Sequence, residues 1–177
     1  MNDIKTKTPA SFGMTYGILL GVIFILIAVI MYVTGMPLRG EQWPQYLYYL
    51  IYPAGIIIAI KKFKENNGGF LELKEAIKIG LSIAVISGLV YFIYVLLFNY
   101  VIDPEYNTLL IEAAREQMLE QPNTSEEQVE QVMGFIEAMA DPLIGGAFWI
   151  GLSLFFGLIY SLIGGLIMKK ENSYTNA

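Results

Sequence analysis

Four long stretches of this sequence contain no charged residue. They cover residues 8–38, 42–60, 79–102 and 142–168. About 20 mostly apolar residues in helical form cross the roughly 30 Å hydrocarbon core of a bilayer, so each stretch is long enough to span a membrane. The pattern therefore predicts an integral membrane protein with four transmembrane helices and the lipid bilayer as its first partner.

The chain has 177 residues, which provides for one compact unit, so we expect residues 1–177 to form a single membrane domain. The short connections between spans one and two and between spans two and three favour an antiparallel bundle. The second span is the shortest, and Pro53 within it predicts a kink. The first span is longer than the apolar part of a signal peptide and is expected to stay uncleaved. The four spans are expected at about 12–35, 44–60, 79–102 and 143–168.

The basic residues are distributed unequally between the two sides of such a bundle. Nine lysines fall on the side of both termini, and two arginines fall on the other side. Because short cytoplasmic loops retain lysine and arginine, this bias predicts that both termini lie in the cytoplasm. Trp43 and Trp149 would then lie at the outer interface, where tryptophan is enriched. The residues counted are Lys5, Lys7, Lys61, Lys62, Lys64, Lys74, Lys78, Lys169 and Lys170 against Arg39 and Arg115.

Composition excludes several kinds of chemistry. The chain contains no cysteine, so it has no disulfide, thiolate metal site or cysteine nucleophile. It contains no histidine, which removes the commonest general base and transition-metal ligand. No basic stripe is present, so nucleic acid is not an expected partner. We expect no cofactor, no metal site and no catalytic residue.

Small residues recur every four positions in three of the spans. Gly13, Gly17 and Gly21 lie on one face of the first span, where small residues permit close approach of another helix. That helix could belong to the same chain, or it could belong to a second copy in a homo-oligomer. Similar faces in spans three and four are formed by Gly80, Ala84, Gly88, Gly157, Ser161 and Gly165.

The segment 103–141, between the last two spans, is strongly acidic and lies on the outer side of the predicted topology. Two helices are predicted in it, over about 104–120 and after Thr124, where Thr124 and Glu127 have the spacing of a capping box. Apolar residues at helical spacing give each helix one apolar face, so we expect an extracytoplasmic amphipathic helical hairpin. The faces consist of Leu110, Ala114 and Met118 in the first helix and of Val129, Val132, Met133, Ile136 and Met139 in the second.

The opposite faces of these two helices carry carboxylates. The segment contains ten Asp or Glu residues and one basic residue, Arg115. Glu112, Glu116 and Glu120 follow one another at four-residue spacing, as do Glu126 and Glu130, and such like-charge pairs disfavour a helix slightly. Three interpretations are open: a solvated face, a docking surface for a cationic protein partner, or carboxylate binding of a hard cation such as calcium, although no EF-hand spacing is present.

The part of the chain from residues 68–70 to the corner Ile-Asp-Pro-Glu-Tyr at 102–106 is distinctive enough for comparison with known families. Together with the glycine-rich first span and the acidic helices, it resembles an uncharacterised family of bacterial four-span membrane proteins over nearly the whole chain. Leu73 and Lys74 stand where that family often has a phenylalanine–glycine pair. The resemblance implies the architecture and supplies no catalytic residue. The distinctive residues are those at 68–70, 76–80, 91, 94 and 99–106, with the corner Ile-Asp-Pro-Glu-Tyr at 102–106.

Three classes of function are consistent with these features. The leading hypothesis is a non-enzymatic accessory or interaction protein of the bacterial inner membrane that acts through partners. The alternative is a transporter or channel subunit for a small solute or ion, although the four spans contain no ionisable Asp, Glu, Lys, Arg or His. In an enzyme, Asp103, Glu105 and Asp141 could converge at the outer interface for acid–base chemistry. The simpler role of Asp103 and Asp141 is structural, because each precedes a proline in a turn or helix start.

Overall fold

The computed structural model describes residues 8–41, 43–121 and 125–171, and in them the protein is all-α, as expected. A π-helical segment, Phe98–Ile102, extends α3, and two short 3-10 turns, Pro37–Arg39 and Trp43–Gln45, connect α1 to α2. Lys5, Lys7 and Thr124, on which parts of the sequence interpretation rest, lie outside the described residues. The helices are α1 Pro9–Thr34, α2 Tyr46–Asn66, α3 Leu73–Leu97, α4 Tyr106–Leu119, α5 Glu126–Ala140 and α6 Pro142–Met168.

Three helices are long and apolar enough to cross a membrane. They are α1, α3 with its π-helical extension, and α6. The second expected span coincides with α2 and the turn before it, and the helix continues through Pro53 to Asn66. Its tyrosines and lysines lower its hydropathy, so α2 is not among the three. The structure thus supports a membrane protein and leaves the fourth span as an expectation.

The glycine face of α1 packs against α3 of the same chain. A Cβ added to Gly17 would lie 2.8 Å from the Cβ of Ile86, and one added to Gly21 would lie 2.8 Å from the Cβ of Val90. Such distances are shorter than real Cβ contacts, so only glycine permits this approach. The first of the two alternatives for this motif, a contact within one chain, is therefore confirmed.

A second seam of small residues joins α3 to α6. Gly157 faces Ala84, and Gly80 faces Ser161, whose side chain is fully buried. Near the C-terminal end of α6, a Cβ added to Gly165 would lie 2.8 Å from the Cβ of Ala76. Because α3 contacts both α1 and α6 along glycine faces, it forms the centre of the bundle.

The lysine-rich end of the bundle is closed and tightly connected. Gly68 and Gly69 have positive φ angles of 66° and 84°, as expected for the turn after α2. Leu71 and Lys170 then exchange two backbone hydrogen bonds of 2.9 Å, which attach the loop to the end of α6. The Lys64 ammonium donates to the Met168 carbonyl oxygen at 2.7 Å and caps the same helix. Four fully buried isoleucines fill the centre at this end: Ile56, Ile60, Ile79 and Ile83.

At the opposite end, α4 and α5 pack against each other and α5 packs against α6. Val129 and Met133 are buried, whereas Val132, expected on the same face, is exposed. The difference arises because Val132 lies about 100° around the helix from Met133, and the buried stripe is narrower than the sequence pattern. The capping box of α5 also differs from the expected one, since Ser125 and Gln128 form it.

Candidate functional site

A cavity of about 540 Å³ lies at the end of the bundle that α4 and α5 cover. We call it the aromatic chamber. Residues from all six helices line it, and its size is typical of small-molecule sites. Tyr49 and Trp149 belong to the lining and are 63% and 54% exposed, so the chamber opens between α2 and α6. Eight tyrosines contribute to its wall: Tyr32, Tyr48, Tyr49, Tyr52, Tyr91, Tyr94, Tyr106 and Tyr160.

The π-helical segment after α3 builds the roof of the chamber. Its wider turn is closed by the Asp103 amide, which donates to the Phe98 carbonyl oxygen at 2.9 Å. Phe98 is thereby placed against Tyr32 and Tyr106, with ring centroids 4.9 Å and 5.6 Å away in edge-to-face geometry. Tyr32 and Tyr106 also meet edge to face at 4.9 Å. The three rings join α1, α3 and α4, and π-helical turns of this kind are frequent at functional sites.

Several wall tyrosines donate their hydroxyl protons to acceptors of the protein itself. Tyr52 donates to the Ser153 carbonyl oxygen at 2.8 Å, and Tyr48 donates to the Phe24 carbonyl oxygen at 3.3 Å. Tyr32 donates to the Asp103 carboxylate at 2.9 Å. Because each of these hydroxyls has donated its proton, it can only accept a further hydrogen bond. The wall of the chamber is therefore rich in acceptors and in aromatic ring faces.

Two buried polar atoms of the lining have no hydrogen-bond partner in the part of the chain that the structure describes. They are the Asn99 side-chain oxygen and the Tyr106 hydroxyl. Asn99 uses its amide group to donate to the Val95 carbonyl oxygen, which leaves the oxygen free to accept. Burial, together with Tyr32 and Asp103, raises the pKa of Tyr106, so its hydroxyl stays protonated at neutral pH. Unpaired buried polar atoms are costly, and each here could bond a ligand.

Three carboxylates were considered for catalysis. Two of them accept hydrogen bonds with a structural role, and the third is exposed. One Asp141 oxygen accepts from the amides of Leu143 and Ile144, both at 2.9 Å, and caps α6. Asp103 accepts from Tyr32, and Glu105 is exposed. The Asn107 side chain donates to the Ala140 carbonyl oxygen at 2.8 Å, so the two corners do lie close together. Asp141 is also part of the chamber lining.

The outer surface of α4 and α5, which we call the acidic surface, is held together by its one arginine. The Arg115 guanidinium contacts the Glu130 carboxylate at 2.7 Å and the Glu137 carboxylate at 3.9 Å. Val132 and Phe135 of α5 are also exposed, by 44% and 59%. Among the described residues, no group of three or more carboxylates is arranged to hold a metal ion. The remaining exposed carboxylates of the two helices are Glu112, Glu116, Glu120, Glu126 and Glu127.

The sequence pointed to some of these residues and missed others. The Asp103–Tyr106 corner was singled out as distinctive, and it forms the roof. The role of Tyr32 was missed, because a tyrosine within a long apolar helix gives no sign of a partner 71 residues away. Tyr48 and Tyr52 of α2 also line the chamber, a role that the sequence did not reveal. Tyrosines spaced three or four residues apart in α2 and α3 were the available signal, since they place several hydroxyls on one helix face.

Comparison with known proteins identifies one family. The model of a family described as "Protein of unknown function (DUF4199)" matches residues 15–170. The matched region includes the described part of every helix except the first six residues of α1. No curated protein and no solved structure matches the chain.

Proposed function

The chain belongs to the DUF4199 family of unknown function, and within it we propose a four-span inner-membrane protein that acts without catalysis through a protein partner. The partner binds the acidic surface of α4 and α5 on the extracytoplasmic side. The observation that carries the proposal is the exposure of two large apolar side chains, Val132 and Phe135, on a pair of helices that also exposes carboxylates. Protein–protein interfaces commonly combine a few apolar side chains that the partner buries with polar or charged residues at the rim.

The fourth span in this proposal is α2. It packs against α1, α3 and α6, as a member of the bundle would. With α2 crossing the membrane, the loop after it and the C-terminal lysines Lys169 and Lys170 share one side, in agreement with the positive-inside rule. With three spans, these lysines would still share one side, but Lys5 and Lys7 would lie on the other, whereas four spans place all nine lysines together. Both termini are then cytoplasmic, and α4 and α5 form an extracytoplasmic helical hairpin.

The proposed partner presents basic residues and an apolar side chain to this hairpin. Arg115 is engaged with Glu130, so the carboxylates on α4 have no basic residue of their own segment to neutralise them. Complementary charge accelerates encounter and selects partners. The absence of a basic stripe in the chain also makes nucleic acid an unsuitable partner.

A photocrosslinking amino acid placed at Val132 or Glu116 is expected to capture one reproducible partner in native membranes. Val129, three residues before Val132 and buried, is the matched control and is expected to give crosslinks only within the chain. The double charge reversal Glu112→Lys/Glu116→Lys should abolish capture from Val132, because it replaces two carboxylates by ammonium groups. Mass spectrometry of the adducts provides the measurement.

Two results of this experiment would contradict the proposal. Crosslinks from Val132 that remain within the chain or join two copies would show that no other protein binds this surface. Capture that persists after charge reversal would show that the partner does not depend on these carboxylates for binding. The reversal Glu65→Lys, on an exposed carboxylate at the opposite end of the bundle, serves as the control for added positive charge.

A transporter of a small solute is the second candidate, and the aromatic chamber is the observation that favours it. The chamber opens between α2 and α6, whereas the lysine-rich half of the bundle is filled by Ile56, Ile60, Ile79 and Ile83. A carrier would have to open this closed half. Solute uptake into liposomes containing the purified protein would decide in favour of this candidate, and tight liposomes would decide against it.

A further inference from the structure

The aromatic chamber has the electrostatic character of a site for a positively charged guest. Aromatic ring faces carry negative partial charge, and a cation over such a face within about 6 Å is attracted to it. The chamber brings eight tyrosines and further aromatic rings to one cavity, and Asp141 also belongs to the lining. No lysine or arginine is among the described residues that line it. The aromatic ring faces and the acidic residue of the wall therefore favour a cation over an anion.

The hydrogen-bonding groups of the wall lead to the same conclusion. Tyr48 and Tyr52 donate their protons to backbone carbonyl oxygens, and the Asn99 oxygen can only accept. A guest that donates hydrogen bonds or carries positive charge would satisfy the Asn99 oxygen. The Tyr106 hydroxyl, 8% exposed by residue and without a partner among the described residues, adds a further polar contact. An anionic guest would find no lysine or arginine to pair with among the described residues of the lining.

We propose that the aromatic chamber binds a lipophilic organic cation, with apolar groups against the aromatic rings and the positive charge near Asp141 and the tyrosines. The cavity of about 540 Å³ accommodates a drug-sized molecule. The acidic surface that covers the chamber raises the local concentration of cations near its opening. This inference is independent of the protein partner, because it concerns the inside of the bundle.

The test compares two probes of the same shape and opposite charge, tetraphenylphosphonium and tetraphenylborate. Equilibrium dialysis of the full chain in detergent, corrected with empty micelles, measures the binding of each. Saturable binding of about one phosphonium per chain, at least about tenfold tighter than borate binding, is the expected result. Borate binding that equals or exceeds phosphonium binding would overturn the inference.

Two chamber variants and two controls locate the site. Tyr91→Leu should weaken phosphonium binding about tenfold, because it removes a ring from the wall. Tyr100→Leu, on the exposed outer surface and outside the lining, should leave binding unchanged. Asp141→Asn removes the charge and keeps the helix cap, since asparagine caps as well as aspartate, so it should weaken binding while the protein stays folded. Glu112→Gln removes a carboxylate outside the chamber as its control.

Several outcomes would contradict the assignment. Equal binding by Tyr91→Leu and Tyr100→Leu, or by Asp141→Asn and Glu112→Gln, would place the phosphonium outside the chamber. A phospholipid that copurifies at one per chain and is not displaced by excess phosphonium would identify the chamber as a lipid site. The melting temperature of each variant, measured in parallel, separates loss of binding from loss of folding.

Discussion

Replacing Gly157 by leucine is expected to lower the melting temperature of the protein by about 10 °C. A side chain at this position would place its Cβ 2.9 Å from the Cβ of Ala84 and 3.2 Å from the Gly80 carbonyl oxygen. Both neighbours belong to α3, and the second is backbone, so the helices themselves must separate. Overpacking of this kind costs about 3 kcal/mol. For a chain of this size each kcal/mol corresponds to about 2–4 °C.

Gly151→Leu provides the matched control on the same helix. A Cβ added to Gly151 has no neighbour within 4 Å, and the residue is exposed on the surface of the bundle. Leucine has a higher helix propensity than glycine by about 1 kcal/mol, so this variant should be as stable as the parent or slightly more stable. Thermal unfolding in detergent, followed by circular dichroism, measures both. Equal melting temperatures for the two variants would show that the α3–α6 seam is not packed as described.

Replacing Phe98 by alanine is expected to release α4 from the bundle while the spans remain folded. Phe98 is buried between Tyr32, Tyr94 and Tyr106, and its loss removes the centre of the aromatic cluster. A phenylalanine-to-alanine change in a core costs about 3–5 kcal/mol. The cost falls mainly on α4, because Tyr106 at the start of α4 is held by this cluster.

Hydrogen–deuterium exchange with mass spectrometry measures this release. Peptides from α4 are expected to exchange about 100-fold faster in Phe98→Ala, since about 3 kcal/mol corresponds to that factor. Peptides that cover α3 should keep their protection from exchange. The control is Phe135→Ala, which removes the same side chain from an exposed position on α5. Unchanged exchange of α4 in Phe98→Ala would mean that the cluster does not hold the hairpin.

Local patterns in the sequence predicted the long helices, their small-residue faces and the two corners. Uncharged stretches predicted the long helices, because a membrane tolerates few charges within its core. Small residues at four-residue spacing predicted a face for close helix packing on α1, α3 and α6, because that spacing aligns them on one side of a helix, but the partner helix was left open. Asp103 and Asp141, each before a proline, predicted the corners. These features depend on residues close to one another along the chain.

The chamber depends on residues far apart along the chain, and no local pattern contains it. Tyr32 meets Asp103, and Tyr52 meets Ser153, only after the helices have packed. The capping of α5 by Ser125 differed by one residue from the expected position, because neighbouring threonine and serine are equally good caps. The exposure of Val132 reflects how α5 is rotated against α4 and α6, which an amphipathic pattern defines only approximately.

The most direct test of the account is the topology of the membrane domain. The chain contains no cysteine, so single cysteines at Glu41, Glu65 and Glu116 can be labelled with a membrane-impermeant maleimide in spheroplasts without background. We expect labelling at Glu41 and Glu116 in intact spheroplasts and at Glu65 only after the membrane is opened. That result places α2 across the membrane and the acidic surface outside. Labelling of Glu41 and Glu65 from the same side would show that α2 does not span, and a protected Glu116 would place the acidic surface in the cytoplasm.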